Sequence, residues 1–401
     1  MINDADLQRI SQTEGTPYYL INGDTISKVH DRFRKAFSLF RGEIRVAYAV
    51  KANSNVKVLE RFGELHTYFD ILTPGEIDLL CTAGLPPERM IYTSVSETYD
   101  EFSFAIRKGV RRFVVGSCSG IDELSRASAE SGVTPSVSLR LNPGIDVNAQ
   151  IATAGRFSKF GVPIFTGQRS VKKLVQELIR NKSFDFEGLH FHLGTQVKDP
   201  TIYARAINRV LEFAKKHGIR VTGLDIGGGF PVRYVDPVPP IEKFGRVISS
   251  TLNDWINRIG DFNLTVESGR YLVAESGTLV TSVTNIKEFD AEAIVITDAN
   301  YNQVPDLLIG QHYRIRSISA GKGRRRYRIA GNLCDGNDWL ERRPTVLPSL
   351  SKGDLLVLES VGAYSDVFQM DFCRFGIPPI IFVRGNERVV DRPRRGAAKC
   401  P

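Results

Sequence analysis

Residues 48–55, Tyr48-Ala49-Val50-Lys51-Ala52-Asn53-Ser54-Asn55, run from an apolar stretch with the composition of a buried strand straight into a lysine, and then break into small polar residues. In isolation the stretch reads as a strand that ends at water, with Lys51 snorkelling its ammonium outward. Its place in a series decides the fold. Short β-rich runs recur along the first two thirds of the chain, each followed by a longer segment whose apolar residues have helical spacing.

The runs are Arg45–Val50, Tyr68–Leu72, Arg89–Thr93, Arg111–Val115, Ser136–Leu141, Glu187–Phe191, Val221–Ile226 and Asn263–Glu267. Between them, Ser117–Glu130 and Ile202–His217 carry apolar positions three and four residues apart. Eight βα units predict an α/β fold, a (β/α)8 TIM barrel over residues 26–270. Beyond Arg270 the helices disappear and strand-like runs follow one another: TLVTSVTNIKEF, AEAIVITDA, HYRIRSISA, RRYRIAGNL, GDLLVLESV and PIIFVRG. They predict an antiparallel β-barrel or sandwich domain, with Gly321-Lys322-Gly323 as a hairpin turn. The strand-like PYYLING (17–23) precedes the barrel and is expected to return to this domain, which then comprises residues 1–25 plus 271–401.

Bulk properties narrow the function classes. No apolar run approaches the roughly 20 residues that cross a bilayer, and the first residues are polar and acidic rather than signal-like. The expectation is a cytoplasmic protein without a membrane partner. Five cysteines (Cys81, Cys118, Cys334, Cys373, Cys400) are scattered without C-x-x-C spacing, which fits neither a disulfide framework nor a zinc site. The net charge of +8 is concentrated in Arg324–Arg326, Arg342-Arg343 and the tail from Arg392 to Lys399. These runs lack interleaved aromatics and any nucleic-acid motif, so solvated faces account for them and no nucleic-acid partner is expected.

In a barrel of this kind the working residues lie just past the C-terminal strand ends. There the eight runs deliver Lys51; Asp70 and Thr73; Arg140 and Asn142; His192, Gly194 and Thr195; Gly227, Gly228 and Gly229; and Glu267, Gly269 and Arg270. The triple glycine allows backbone N–H groups to approach an anion, although an isolated GGG is also an ordinary turn. His192 shares a face with His190 by alternation, as a core histidine or as a ring that stacks on a cofactor; no third ligand of matching spacing appears, and no metal is expected. Glu267 ends an apolar strand and needs a cationic partner, either Arg270 or a protonated pyridine nitrogen. A lysine for a Schiff base, an acid for a ring nitrogen and a glycine-lined anion site form one consistent set for pyridoxal 5'-phosphate.

With these residues in place the chain resembles the pyridoxal-phosphate decarboxylases of the alanine-racemase-like fold, the group containing diaminopimelate and ornithine decarboxylases. The motifs are YAVKAN (48–53), FDILTPGE (69–76), LRLNPG (139–144), SKFG (158–161), HFHLGTQ (190–196), LDIGGGFP (224–231), ESGRY (267–271), CDGND (334–338) and GAY (362–364). The resemblance implies that Lys51 carries the cofactor as a Schiff base, that His192 stacks on its ring and that Glu267 pairs with the ring nitrogen. It also implies that Asp70 and Arg140 belong to the cofactor site, and that Thr195, Gly227–Gly229, Gly269 and Arg270 hold the phosphate. Tyr364 is implied at both cofactor and substrate, and Asp335 and Asp338 at a small-molecule amino-acid substrate. Cys334 is implied as the acid that protonates Cα after carbon dioxide leaves. Cys334 and Asp335 would be lent across a head-to-tail homodimer with shared active sites. An acid at the ring nitrogen suits a deep electron sink, which favours decarboxylation over racemisation; a non-catalytic binding homologue should lack Lys51 or Cys334.

Two departures bear on substrate. Where diaminopimelate decarboxylases usually show Arg-Pro-Ala-Leu-Tyr, this chain has Val304-Pro305-Asp306-Leu307-Leu308, without the cationic clamp. The residue after the cysteine is Asp335, as in ornithine-type enzymes, and suits a distal ammonium. The basic surplus leaves open a second reading, an acidic carrier protein or phosphate-bearing substrate docked near Arg324–Arg326.

Overall fold

A computed structural model of the chain describes residues 2–148, 151–318 and 321–393. The chain divides into two compact units, one of residues 30–231 and 238–272, the other of residues 1–29, 232–237 and 273–401. The tail arginines from Arg394 onward and Cys400 lie outside the described residues.

The first unit is built on eight parallel strands: β1 (Ile44–Ala49), β2 (Tyr68–Ile71), β3 (Met90–Tyr92), β4 (Arg112–Val115), β5 (Ser136–Asn142), β6 (Asp185–His190), β7 (Gly223–Asp225) and β8 (Asn263–Ser268). Neighbouring strands pair in the order 4-3-2-1-8-7-6-5, and a further β4–β5 pairing closes the barrel. The expected eight βα units are therefore all present. The sequence of β1 shows how the two faces are used. Ala47 packs inside with Ile91 and Val114, where closure leaves little room, while Tyr48 stacks on Phe62 of the following helix at 3.9 Å between ring centroids.

Several βα loops end in a side-chain cap that satisfies free helix N–H groups. Thr73 accepts from the Glu76 N–H, Thr98 from Glu101, Ser117 from Gly120 and Asp199 from Thr201. These caps fix where each strand end stops and its helix begins, and so fix the rim of the barrel.

At the opposite end of the strands, Glu187 gathers Arg45, Arg112 and Ser136 from three other strands. Burial raises the carboxyl, but the Ser136 hydroxyl and the two guanidinium groups outweigh it and hold Glu187 below its ordinary value. The charge cluster ties four strands together at this end of the barrel.

The second unit is a nine-stranded sheet. The strand Tyr18–Asn22 joins it as expected, antiparallel to Gly277–Glu288 and parallel to Ile380–Arg384. Its core collects Tyr18, Leu20, Val280, Val357, Ile381 and Val383, with Leu7 and Ile10 of an N-terminal helix, Asp4–Glu14. The sheet is mixed rather than antiparallel, because Ala293–Thr297 also runs parallel to Arg324–Ala330. The hairpin expected at Gly321–Gly323 is corrected: Ile315–Ser317 pairs with Leu355–Glu359, whereas Arg324–Ala330 pairs with Trp339–Pro348. A Cβ on Gly321 would lie 2.1 Å from the Ser349 carbonyl oxygen, so the glycine serves a close chain approach instead of a turn between paired strands. Much of the basic surplus is neutralised within this sheet. Arg325 pairs with Glu288, Arg328 with Glu292 and Arg343 with Glu341. No helix among the described residues is long and apolar enough to cross a membrane.

Glu187→Ala leaves Arg45 and Arg112 facing each other without a counter-charge and is expected to destabilise the chain by about 2–4 kcal/mol. Urea unfolding measures it, and a loss below about 0.5 kcal/mol would show that the floor cluster is a solvated ornament.

Candidate active site

Lys51 ends β1 in a single 3-10 turn, Val50–Ala52. The Asn53 N–H donates to the Val50 carbonyl at 3.1 Å, and the Tyr48 hydroxyl donates to the Asn53 carbonyl at 2.9 Å. Asn55 then caps the helix Val56–Glu64. Lys51 is thus carried on a braced turn, with its Nζ 2.7 Å from Oδ2 of Asp70 at the end of neighbouring β2. Asp70 is buried, and its Oδ1 has no partner among the described residues.

Three more strand ends bring charge to the same place. Glu267 on β8 is buried, with Oε2 3.3 Å from His190 Nε2 on β6 and Oε1 without a partner among the described residues. Asp225 on β7 lies between them in register with His190, and its Oδ1 accepts the Gly227 N–H at 2.8 Å. On β5, the partly buried Arg140 is in register with His190 and lays its guanidinium over the Phe160 ring at 4.6 Å.

Their mutual repulsion and burial sort the carboxyl groups. Burial raises Glu267, but His190, by charge and hydrogen bond, together with Lys51 and His192, outweighs it and brings the group to about 2. Burial and then Glu267 push Asp225 well above the carboxylate range, and the same two causes raise Asp70 against the pull of Lys51. The cluster therefore keeps one firmly ionised carboxylate, Glu267, with protonation at neighbouring acids relieving like-charge repulsion. Donor atoms of His190, Asp225 and Glu267 lie within 4.8 Å of one another, which is also a metal-like spacing.

His192 accepts the Gly228 N–H on Nδ1 at 3.0 Å. Loss of solvent, then Arg140 and Lys51, drive it down to about 3, so it presents a neutral ring across the neutral range. The glycine turn after β7 is stitched from several sides. The Tyr203 hydroxyl donates to the Gly228 carbonyl at 2.7 Å, the Val197 N–H to Gly229 at 2.9 Å and the Glu267 N–H to Gly227 at 3.0 Å. Gly227 and Gly229 have φ of 64° and 95°, the left-handed region. A Cβ on Gly228 would lie 2.1 Å from the Glu267 carbonyl oxygen. Two of the three N–H groups offered for an anion are spent on Asp225 and His192, which leaves Gly229 as the one without a protein acceptor among the described residues. Arg270 Nε donates to Thr195 Oγ1 at 3.4 Å, which sets those two polar groups side by side. Gly269 lets the end of β8 approach β1, since its Cβ would stand 2.7 Å from that of Ala52.

Cys334, Asp335, Asp338 and Tyr364 belong to the other unit. Asp338, expected at the substrate, has a structural role as well. Its carboxylate is buried and accepts the Tyr301 and Leu333 N–H groups at 2.9 and 2.8 Å, so it holds the 333–338 loop in shape. Asp335 instead accepts the Tyr301 hydroxyl and the Asn337 N–H, both at 2.8 Å. These bonds hold it below its ordinary value, led by the Asn337 N–H. Cys334 is exposed, and Tyr364 adopts a left-handed backbone (φ 62°) with its ring stacked on Phe368.

Two contributors were not assigned from sequence, Asp225 and the His190–Glu267 contact. Asp225 carried a signal, a carboxylate at the end of an apolar run; the contact requires knowing that β6 and β8 flank β7.

A closed parallel barrel with a braced lysine, a buried carboxylate holding a free oxygen and a neutral imidazole at one mouth defines a class: barrel enzymes that bind an aromatic, phosphate-bearing aldehyde cofactor through lysine. The family model described as "Pyridoxal-dependent decarboxylase, pyridoxal binding domain" matches residues 24–274, and the chain belongs to this family of pyridoxal-phosphate-dependent amino-acid decarboxylases. It is 30% identical to a diaminopimelate decarboxylase of Zymomonas mobilis over 98% of this chain and 94% of that one. It is 31% identical to that of Pseudomonas aeruginosa over 95% and 91%. Among solved structures, the diaminopimelate decarboxylase of M. jannaschii in complex with L-lysine superposes with a TM-score of 0.90 at 25% identity, covering 97% of this chain and 92% of that one. The residues here fit pyridoxal phosphate. The Glu267 Oε1 lacks a buried partner, the Lys51 amine stands at the same mouth, and Gly229, Thr195 and Arg270 offer donors for a phosphate.

One titration tests the electrostatics. The unfolded histidine titrates near 6.5, whereas folded His192 does so near 3. Above 6.5 both states are neutral; below it the unfolded chain takes a proton that the folded one refuses, so stability falls as pH drops from 6.5 towards 3. In cofactor-free protein, His192→Asn should make this fall shallower by at most about 1.4 kcal/mol per pH unit. An unchanged slope would mean that His192 is charged in the fold.

Proposed function

We propose that this decarboxylase acts on an α-amino acid whose side chain ends in an ammonium group, of the ornithine and lysine type, with Lys51 and Glu267 as the two poles of its cofactor site. The observation that carries the reading is the buried Glu267, ionised down to about 2 with one oxygen left for a cationic ring nitrogen. When bound, pyridoxal phosphate supplies a protonated ring that accepts the electron pair left as the Cα–carboxylate bond breaks. The protein's part is positional and electrostatic. Lys51 Nζ would hold the cofactor, with Asp70 at 2.7 Å to orient the nitrogen. Glu267 keeps the proton on the ring nitrogen by charge, and His192 offers its neutral face to the ring. Gly229, Thr195 and Arg270 hold the phosphate.

The Cys334 thiol delivers the proton to Cα, and Asp335 receives the distal ammonium. Asp335 is pre-set for that by the Tyr301 and Asn337 donors, which keep it ionised. At 304–308, where a distal carboxylate would need a cation, the chain has Val-Pro-Asp-Leu-Leu, a short turn with Asp306 buried and Leu308 and Ile309 exposed. Cys334 and Asp335 serve the site of a second copy of the chain. The exposed Leu308, Ile309, Phe368, Phe372 and Phe375 of the same unit are the apolar surface that such a dimer would cover. A reducing compartment, the cytosol, suits the four described cysteines, which are all free.

Purified protein with pyridoxal phosphate should show the absorbance of a lysine-bound cofactor, and Lys51→Ala should lose it; persistence of the band in the variant overturns the site. Carboxyl-labelled ornithine and lysine are expected to release carbon dioxide faster than arginine or diaminopimelate, and Asp335→Asn to lower kcat/KM for them by about tenfold or more. Faster release from diaminopimelate would reject the distal-ammonium assignment. Lys51→Ala and Cys334→Ala, each inactive alone, should recover activity on mixing, up to about a quarter of the sites by random reassortment. No recovery in a confirmed mixed dimer would place each site within one chain.

A further inference from the structure

Cys334 and Cys373 are 39 residues apart in the chain, yet their Sγ atoms lie 3.9 Å from each other. Both are exposed. Neither position is loose. Asp338 clamps the Cys334 loop through the Leu333 and Tyr301 N–H groups, and Tyr301 in turn donates its hydroxyl to Asp335. Cys373 sits in the Phe372–Arg374 turn, where the Asn302 amide donates to the Phe372 carbonyl at 2.8 Å and the Phe372 ring stacks on Tyr301 at 6.5 Å. The pair Tyr301-Asn302 is thus a common post to which both cysteine-bearing segments are tied. Cys373 moreover has φ of 58°, a left-handed conformation that glycine or asparagine takes more readily. An exposed side chain is held there in a costly conformation, with a second thiol 3.9 Å away.

A disulfide has sulfurs about 2.05 Å apart, so closure needs about 2 Å of movement, within reach of side-chain rotation in two exposed cysteines. We propose that Cys334 and Cys373 form an oxidation site, closed to a disulfide by a peroxide, which withdraws Cys334 from catalysis until a thiol reductant reopens it. The Cys334 thiolate attacks a peroxide oxygen; the O–O bond breaks, one water leaves and the sulfur becomes a sulfenic acid. The Cys373 thiolate then attacks that sulfur, the S–S bond forms, the S–O bond breaks and a second water leaves. Two thiols lose two electrons and two protons, and one hydrogen peroxide becomes two waters. Loss of solvent, then Cys334 and Asp335, hold the Cys373 thiol above its ordinary range, so it acts as the resolving partner. The cross-link stands on the geometry alone, whereas its effect on activity rests on the reading of Cys334 as proton donor.

The test uses the full-length holoenzyme treated with hydrogen peroxide, followed by thiol alkylation and non-reducing peptide mapping. Expected are a Cys334–Cys373 linked peptide, a mass loss of about 2 Da, a fall in carbon dioxide release of about tenfold or more, and recovery of both with dithiothreitol. Cys373→Ser, and Cys373→Asn as a second variant suited to the left-handed backbone, should keep the untreated rate. Peroxide excess should drive them to an over-oxidised Cys334 that dithiothreitol does not rescue. Both thiols remaining alkylatable after peroxide, or Cys334 linking elsewhere, overturns the proposal. So does a linked enzyme with an unchanged rate. Cys334→Ser separates the two ideas: full activity in that untreated variant removes the proton-donor role, while an impaired variant beside an unlinked wild type removes only the thiol pair.

Discussion

Everything at the mouth of this barrel depends on the pairing of β8 with β1. Register sets Glu267 beside Ala47 and Ser268 beside Tyr48, so the last strand of the unit ends where the first does. Without closure the carboxylate of residue 267 and the amine of residue 51 would belong to opposite edges of an open sheet. The two strands come together because their contact positions are small. Ala47 and Ala49 line β1, and Gly269 at the end of β8 stands where a Cβ would strike Ala49 and Ala52. The packing requirement and the placement of the reactive amine are therefore one constraint.

Closure has an electrostatic cost. Asp70, Asp225 and Glu267 are drawn into one buried volume, and three ionised carboxylates there would repel by several kcal/mol at any plausible interior dielectric. The molecule resolves this by unequal partnership. Glu267 receives His190, Asp225 receives only a backbone N–H, and Asp70 faces Lys51, whose side chain is 40% exposed and so partly screened. Charge is thereby concentrated on Glu267, whose Oε1 has no partner among the described residues. A cationic group at that oxygen would replace an unpaired buried atom by an ion pair.

The barrel was legible because its signal is repetitive: strand-like runs of five or six residues, helical spacing between them, and polar residues collecting at one set of ends. Lys51, Asp70, His192 and Glu267 could be placed at the mouth from that rhythm alone. Relations across the barrel could not. His190 meets Glu267 only because β7 separates their strands, a fact of closure that spacing along the chain does not carry. The β unit was read less well for a related reason. Trp339–Pro348 contains Glu341-Arg342-Arg343-Pro344 and lacks apolar alternation, yet it forms a strand by pairing with the arginine-rich Arg324–Ala330, with glutamates supplying counter-charge. Asp4–Glu14 read only as a polar, acidic stretch, but Asn3 and Asp6 make a capping box, and Leu7 and Ile10 are buried as the helix docks. The Gly321–Gly323 turn was misassigned because glycine marks close approach as well as reversal.

Left-handed backbone at residues other than glycine gives an independent view of where this chain accepts strain. His66, Glu97, Gln196, Ser360, Tyr364, Cys373 and Arg374 all have φ between 51° and 63°, and each such residue costs on the order of 1 kcal/mol. Glycine would remove that cost, so the side chain must supply something. At Glu97 it does visibly: the carboxylate accepts the Gly116 N–H and the Ser117 hydroxyl, tying the loop after β3 to the one after β4. Gln196 follows Thr195, whose hydroxyl accepts from Arg270 Nε, and Tyr364 lies in the GAY motif. Cys373 fits the same pattern, a strained residue kept for its side chain, and the group within reach of that side chain is the thiol of Cys334. Oxidation chemistry uses both thiols of the pair, whereas a simple packing role would use neither.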